Sequence, residues 1–315
     1  MADFPAGSYP AAVVADGAVH YWRLDEVEGS LVAVDNIGAL NGNISGGVTL
    51  GVPGALLSGN ASMVFDGISG RIVTPNVINL RPPYTIEAWV RVFEQGGHAF
   101  FSTLQPDESE DGIYVGTYDR KIHVRAEHHG GSTKTDSISV TPITDGNWHY
   151  IVVIVRGQTW SLYVDGLFDL LNVQPKSTID GSDNYIAELG FTSKYGSFEL
   201  NGGLDEVAIY SKILQPKQIT EHYNLRGYDP VTGIVQARHT NMLIPVGPLT
   251  PIEQNASYAT PAHLCEITSL DPIEVATFRD GPYAVYNGAP ISRSFLRSPT
   301  ADTLVTCKPY RTTHA

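Results

Sequence analysis

Basic residues, cysteines and long apolar runs are all scarce in this chain. Its 315 residues include 20 Lys and Arg against 33 Asp and Glu, a formal net charge of −13. Nucleic-acid binding depends on clustered cations that neutralise phosphates. No Lys/Arg cluster of that kind occurs, so nucleic acid is not an expected partner. No stretch approaches the ~18 consecutive apolar residues that would span a bilayer, so membrane insertion is not expected either. The only cysteines, Cys265 and Cys307, are too few for a Cys-rich zinc site and specify no disulfide framework. Whether they pair is open. The opening residues, Met1 to Gly7, lack the basic and apolar regions of a secretory signal. No Gly-x-Ser-x-Gly elbow, phosphate-binding glycine loop or dinucleotide fingerprint is present.

Turn formers and alternating apolar residues are plentiful. The chain has 31 Gly and 20 Pro, and charged residues make up only 17%. That composition suits short strands joined by many turns. Between residues 19 and 210 the apolar pattern has a period of two, which predicts strands with one face in a core. In Thr85–Val92, Ile86, Ala88, Val90 and Val92 share one face, and Thr85, Glu87, Trp89 and Arg91 the other. Trp148–Val155 contains the continuous run Ile151-Val152-Val153-Ile154-Val155. Such a strand is covered on both sides and belongs at the centre of its sheet. Hairpins are predicted for Gly112–Thr117 into Lys121–Ala126, and for Trp160–Val164 closing at Asp165-Gly166. One helix is predicted from Pro216, with Ile219, His222 and Tyr223 on one side and Gly227 as its stop.

Several short segments occur in a fixed order: Tyr21-Trp22-Arg23-Leu24-Asp25-Glu26, Val64-Phe65-Asp66-Gly67, Tyr84–Val90, Asp145–Tyr150, Leu162–Gly166 and Gly203–Tyr210. Together they resemble laminin-G-like domains of the concanavalin A-like lectin/glucanase superfamily. The resemblance runs over roughly residues 18–226. It implies an all-β jelly-roll sandwich of two antiparallel sheets over 18–228. Residues 1–17 then read as an N-terminal arm, and 229–315 as a small Pro-rich β unit or docking arm. Half of the 20 prolines lie beyond Asp229, where central strands would not tolerate them.

The resemblance also frames the chemistry. Laminarinase-like members of the superfold carry a Glu-x-Asp-x-x-Glu strand, whose two carboxyls suit glycoside cleavage. That pattern does not occur here. Asp205 and Glu206 are adjacent, so a regular strand would send them to opposite faces, and an enzyme is not expected. The superfold often holds a structural calcium on an Asp that opens its last convex strand. Asp205 matches that position, with Asp66 and Asp25 as possible neighbours for a hard, oxygen-seeking ion. For glycan binding, Trp89, Tyr114, Tyr118, His123 and Arg125 are the candidates, as aromatic platforms and hydrogen-bonding groups on strands or turns of a concave face. Trp22, Trp148 and Trp160 are expected in the core. His128, His129 and His149 are not expected to converge on a metal.

The opening segment Tyr9–Leu24 is similar to the start of laminin-G-like domains in tail proteins of actinobacterial phages. This implies a virion structural protein, as a capsid decoration or minor tail protein made in the host cytoplasm. Its expected partners are capsid or tail proteins reached through 229–315 or 1–17, further copies of itself, and host-surface glycans. A glycan-binding module of a bacterial surface protein and a glycoside hydrolase stand as alternatives.

Overall fold

A computed structural model describes residues 4–78, 80–104, 112–127, 134–156, 159–173, 185–196, 198–229 and 234–235, together with four short strands beyond residue 264. The chain divides into two compact units, 1–236 and 237–315. The first opens with helix α1 (Tyr9–Ala15), followed by β1 (His20–Trp22), β2 (Val32–Ala33), β3 (Gly42–Ser45), β4 (Val48–Pro53), β5 (Ala61–Asp66) and β6 (Arg71–Ile78). Next come β7 (Tyr84–Val92), β8 (Ala99–Ser102), β9 (Gly112–Tyr118), β10 (Lys121–Glu127) and β11 (Lys134–Pro142). The unit continues through β12 (Trp148–Arg156), β13 (Thr159–Val164), β14 (Leu167–Val173), β15 (Tyr185–Leu189), β16 (Asn201–Tyr210) and helix α2 (Pro216–Asn224).

These strands form two antiparallel sheets. One runs β14-β13-β12-β7-β16-β5-β4, with β1 also on β16; the other runs β11-β10-β9-β8-β15-β6-β3-β2. The fold is therefore the expected concanavalin A-like sandwich. Side chains at alternate positions fill the space between the sheets. From the first sheet come Ile86, Val90, Ile151, Val153 and Leu162; from the second come Phe101, Ile113, Val115, Ile122 and Val124. Burying each such side chain stabilises the fold by about 1.5–3 kcal/mol. Strand β12 lies between β7 and β13, as its continuous apolar run requires. Both predicted hairpins form, β9 with β10 and β13 with β14. Trp22 and Trp160 are buried in the core, while Trp148 is half-buried on the opposite face of the first sheet.

That opposite face is not half-wet, as the β7 alternation suggested. Helices α1 and α2 cover it. Ser8 accepts a hydrogen bond from the Ala11 backbone N–H at the start of α1, and Pro10 lies in its first turn. Tyr9 and Val13 from α1 are buried, as are Ile219 and His222 from α2. The described part of the expected N-terminal arm thus belongs to the sandwich, and its apolar face is not available to a capsid or tail protein.

The two helices are fastened to the sheet by one buried carboxylate. Adjacent strands β12, β7 and β16 direct Tyr150, Glu87 and Tyr210 to the same face. Glu87 accepts hydrogen bonds from the Tyr210 hydroxyl at 2.7 Å, from Tyr9 at 3.3 Å and from Tyr150. His222 Nδ1 lies 3.0 Å from Glu87, and its Nε2 lies 3.1 Å from Asp16 at the end of α1. Burial alone would raise the Glu87 carboxyl, but the His222 charge and these hydrogen bonds hold it below its ordinary value. Burial would lower His222, yet Glu87 and Asp16 carry it above its ordinary value.

In the second unit, Cys265–Asp271 pairs with Leu304–Pro309, and Ala284–Tyr286 with Ala289–Ile291. These overlap three of the four segments read as strands there; the fourth, Ile273–Arg279, lies outside the described residues. Cys265 stands opposite Pro309, and Cys307 opposite Ile267. The two cysteines therefore lie on neighbouring strands but out of register.

The Glu87–His222 pair makes a stability prediction. Removing His222 leaves a buried carboxylate without its cation, which costs about 3–5 kcal/mol; His222→Ala should lower stability by that order in denaturant unfolding. The raised His222 contributes fully below pH 6.5, and that contribution is lost as pH rises through its folded value. The lowered Glu87 contributes above pH 4.5, and its contribution is lost as pH falls through its folded value. Both pH components should vanish in Glu87→Gln/His222→Gln.

Candidate functional site

With one face of the first sheet under helices, the outer face of the second sheet is where the nominated side chains can meet a ligand. In the β9–β10 hairpin, Val115 faces Val124 and Tyr114 faces Arg125 across the ladder. Val115 and Val124 point into the core, so Tyr114, Tyr118, His123 and Arg125 stand on the outer face. The structure brings these four together. The ring centroid of His123 is 5.6 Å from that of Tyr114 and 5.8 Å from that of Tyr118.

They differ in access. Tyr118 is 59% exposed. Tyr114 is buried, against Tyr195 and Phe198, and its hydroxyl donates to the His98 and Thr117 carbonyls. It lies across Gly116, where a Cβ would come within 2.3 Å of its hydroxyl and 2.2 Å of the His98 carbonyl oxygen. Tyr114 is thus the floor of the site and not a stacking platform, which corrects its expected role. Trp89 is corrected more fully. It is buried on the helix-covered face of the first sheet, its ring stacked on Tyr223 at 5.8 Å with Arg226 above it, and it cannot meet a glycan.

Arg125 and His123 share a carboxylate on the neighbouring strand. Arg125 Nε and Nη2 donate to the two oxygens of Asp136 at 2.7 and 3.1 Å, and His123 Nε2 lies 2.7 Å from Asp136. Burial would raise Asp136, but the hydrogen bonds from His123 and Arg125 bring it down to about 2, so it is a carboxylate at neutral pH. Arg125 Nη1 donates to the Tyr195 hydroxyl at 3.1 Å, and that hydroxyl donates to Glu127 at 2.6 Å. Lys194 lies 3.6 Å from Glu127.

Strand β11 is inverted. Ser137 and Ser139 are buried, while Ile138 is 42% and Val140 64% exposed. The Arg125–Asp136 pair fixes this register from the outer face. The Ser139 hydroxyl secures it from within, accepting from the Ile122 N–H and donating to the Thr141 carbonyl.

The residues nominated for calcium do not converge. Asp66 caps a turn, accepting from the Ile68, Ser69 and Gly70 backbone N–H groups, which hold it far below the ordinary range. Asp25 pairs with Arg23. Asp205 and Glu206 do come together, contrary to strict alternation. A bulge between Asp205 and Ala208, with Glu206 at φ 52°, turns both carboxylates to Asn60, whose Nδ2 donates to Asp205 at 2.9 Å and Glu206 at 3.1 Å. Asp205 also accepts from the Ala55 N–H, and Glu206 from the Tyr21 hydroxyl and from Arg23 at 3.4 Å. A guanidinium and an amide therefore supply what an ion would supply, and these residues do not fit calcium. Among the described residues no group of three His, Cys, Asp or Glu could hold a metal. His149 bonds Asp165 and Asp145; His128, His129 and the acidic stretch 107–111 lie outside the described residues.

The sandwich has counterparts among known proteins. Residues 66–220 match the family model of the concanavalin A-like lectin/glucanases superfamily. The lectin-like sandwich is similar to domain 4 of AbnA, a GH43 extracellular arabinanase from Geobacillus stearothermophilus, solved in complex with arabinotriose. The TM-score is 0.54 at 19% identity, over 65% of this chain and 98% of that domain. It is also similar to the binding domain of Paraclostridial Mosquitocidal Protein 1, with a TM-score of 0.52 at 15% identity over 66% and 52% of the two chains. A third is a structure of botulinum neurotoxin type C, whose cell entry depends on two ganglioside molecules: TM-score 0.50, 13% identity, 74% and 54%. The chain spans about half the length of the latter two. At these identities the likeness is one of fold. Curated proteins give no match.

The buried carboxylates yield two further predictions. Desolvation holds both Asp205 and Glu206 above the ordinary carboxylate range. The folded state then keeps protons that the unfolded chain releases, so stability falls as pH rises from the ordinary carboxylate range through the raised folded values. Thermal unfolding across pH should show a shallower fall in Glu206→Gln. A calcium chelator should leave the unfolding midpoint unchanged; a drop abolished by Asp205→Asn would establish an ion at the bulge.

Proposed function

We propose that this protein is a non-enzymatic virion component, a capsid decoration or minor tail protein, whose lectin-like sandwich holds host-surface glycans on the outer face of β9–β11. The observation that carries the glycan reading is the juxtaposition of exposed Tyr118 and half-buried His123 with the Arg125–Asp136 pair on one sheet face. Protein–sugar contacts need an aromatic or apolar surface beside groups that can donate and accept, and this face has both. The superfamily match and the arabinotriose complex of the AbnA domain are in keeping with it.

The non-enzymatic part rests on the carboxylates. Glycoside cleavage needs two carboxyls that flank the scissile bond. Asp205 and Glu206 are buried and bonded to Asn60, Ala55, Arg23 and Tyr21, so they cannot reach a substrate. The virion assignment is supported by the similarity of Tyr9–Leu24 to phage tail proteins. In that setting residues 229–315 would dock on a coat or tail protein, with the protein present in several copies.

Immunogold electron microscopy of purified particles should place the protein on the capsid or tail, and a glycan array should return binders. Particles free of the protein would remove the virion reading. Turnover of a β-glucan, lost on changing one carboxylate, would replace adhesion with catalysis.

A further inference from the structure

We infer that the sugar held on this face is neutral, not a sialylated or uronic acid glycan; the inference rests on the glycan-binding reading above. An acidic sugar is normally met by a cation presented to it, most effectively by an arginine fork. The only arginine in the cluster, Arg125, has its fork closed on Asp136 through Nε and Nη2, and its Nη1 on Tyr195. His123 also points to Asp136, and Lys194 lies against Glu127 with both side chains almost fully buried. Arg125 and Lys194 are thus matched by Asp136 and Glu127. Lys121 stands across from Tyr118 on the same face, but as a single ammonium and not a fork. To reach the Arg125 fork, a sugar carboxylate would have to displace Asp136 from its bidentate pair while staying beside it and Glu127. The chain's net charge of −13 adds repulsion at longer range.

A neutral pyranose or furanose makes the opposite demands, and the face meets them. Its apolar C–H side needs an apolar surface to lie on. Tyr118 and His123 provide one, and the inverted strand β11 sets Ile138 beside His123 in the ladder with Val140 beyond it, both exposed. Its hydroxyls both donate and accept, and a carboxylate bound to a guanidinium presents acceptors and donors side by side. His123 joins the two, its ring against Tyr118 and its Nε2 2.7 Å from Asp136, so the apolar surface and the ion pair are contiguous.

The intact chain would be titrated by calorimetry with neutral gluco-, galacto- and arabino-oligosaccharides, and with sialyllactose and oligogalacturonate. A neutral sugar should bind at least about tenfold more tightly than either acidic probe, with little change from low to high salt. Tyr118→Ala, at the exposed end of β9, should weaken that binding about tenfold or more, and Asp136→Asn likewise, with the unfolding midpoint of each variant measured alongside. Preference for an acidic probe, weakened by salt, would overturn the inference while leaving the glycan reading standing. Binding of no sugar in either class would sink both. Neutral binding untouched by Tyr118→Ala and Asp136→Asn would overturn the assignment to this face. So would self-association broken by Ile138→Lys, since a second copy would then cover it.

Discussion

A single ionised carboxylate, Glu87, sits at the centre of the sealed side of the sandwich. Three tyrosine hydroxyls and an imidazole converge on it from β12, β16, α1 and α2. A charge in that position would be prohibitive without them, because removing an ion from water costs several kcal/mol even after relaxation. The helices are therefore part of the solution to a problem posed by the sheet. Without His222 and Tyr9 the outer face of the first sheet would carry an uncompensated charge among apolar residues. The same packing buries Trp89 and Tyr150 and makes residues near both ends of the first unit interdependent.

The sealing of one sheet determines what the other can do. Both sheets have a core face and an outer face; helices cover the middle of the first sheet's outer face, and the second carries exposed side chains along β9–β11. There the polar groups are arranged differently from those around Glu87. They are paired with one another at the surface, and the apolar residues Ile138 and Val140 face outward while Ser137 and Ser139 face in. This division between a closed face that holds the fold and an open one that offers mixed polarity is the physical basis of the adhesive reading.

The sheets were legible in the sequence because strand periodicity is a local signal. The alternation in β7, the unbroken run in β12 and the hairpin turns all follow from residues close to one another. What failed was whatever depended on distant segments. Trp89 shares its face with Glu87 and Arg91, which reads as partly solvated, and only α1 and α2 packing across it make it interior. Alternation likewise separates Asp205 from Glu206, and it takes a bulge, with Asn60 reaching both, to reunite them. Tyr118, His123 and Arg125 could be nominated from the hairpin. Tyr195, which bridges Arg125 and Glu127, comes from a connecting segment that no period marks, and Asp136 comes from a strand whose polarity is reversed. The alternation of Ser137, Ile138, Ser139 and Val140 was itself visible in the sequence, but which side faced inward was set by the ion pair.

The bulge in β16 has a bearing on biosynthesis. It lies where β16 stops pairing with β5 and begins pairing with β1, and it joins Tyr21 to Glu206 across 185 residues of chain. The first strand of the unit is thus matched to almost the last. Until β16 emerges, β1 has no neighbour in the sheet, and β5 and β7 have nothing between them. Contacts so distant in the chain form slowly, and unpaired strand edges invite association with other chains. The unit therefore holds an unfinished sheet until β16 is made, and the strand that closes it comes late.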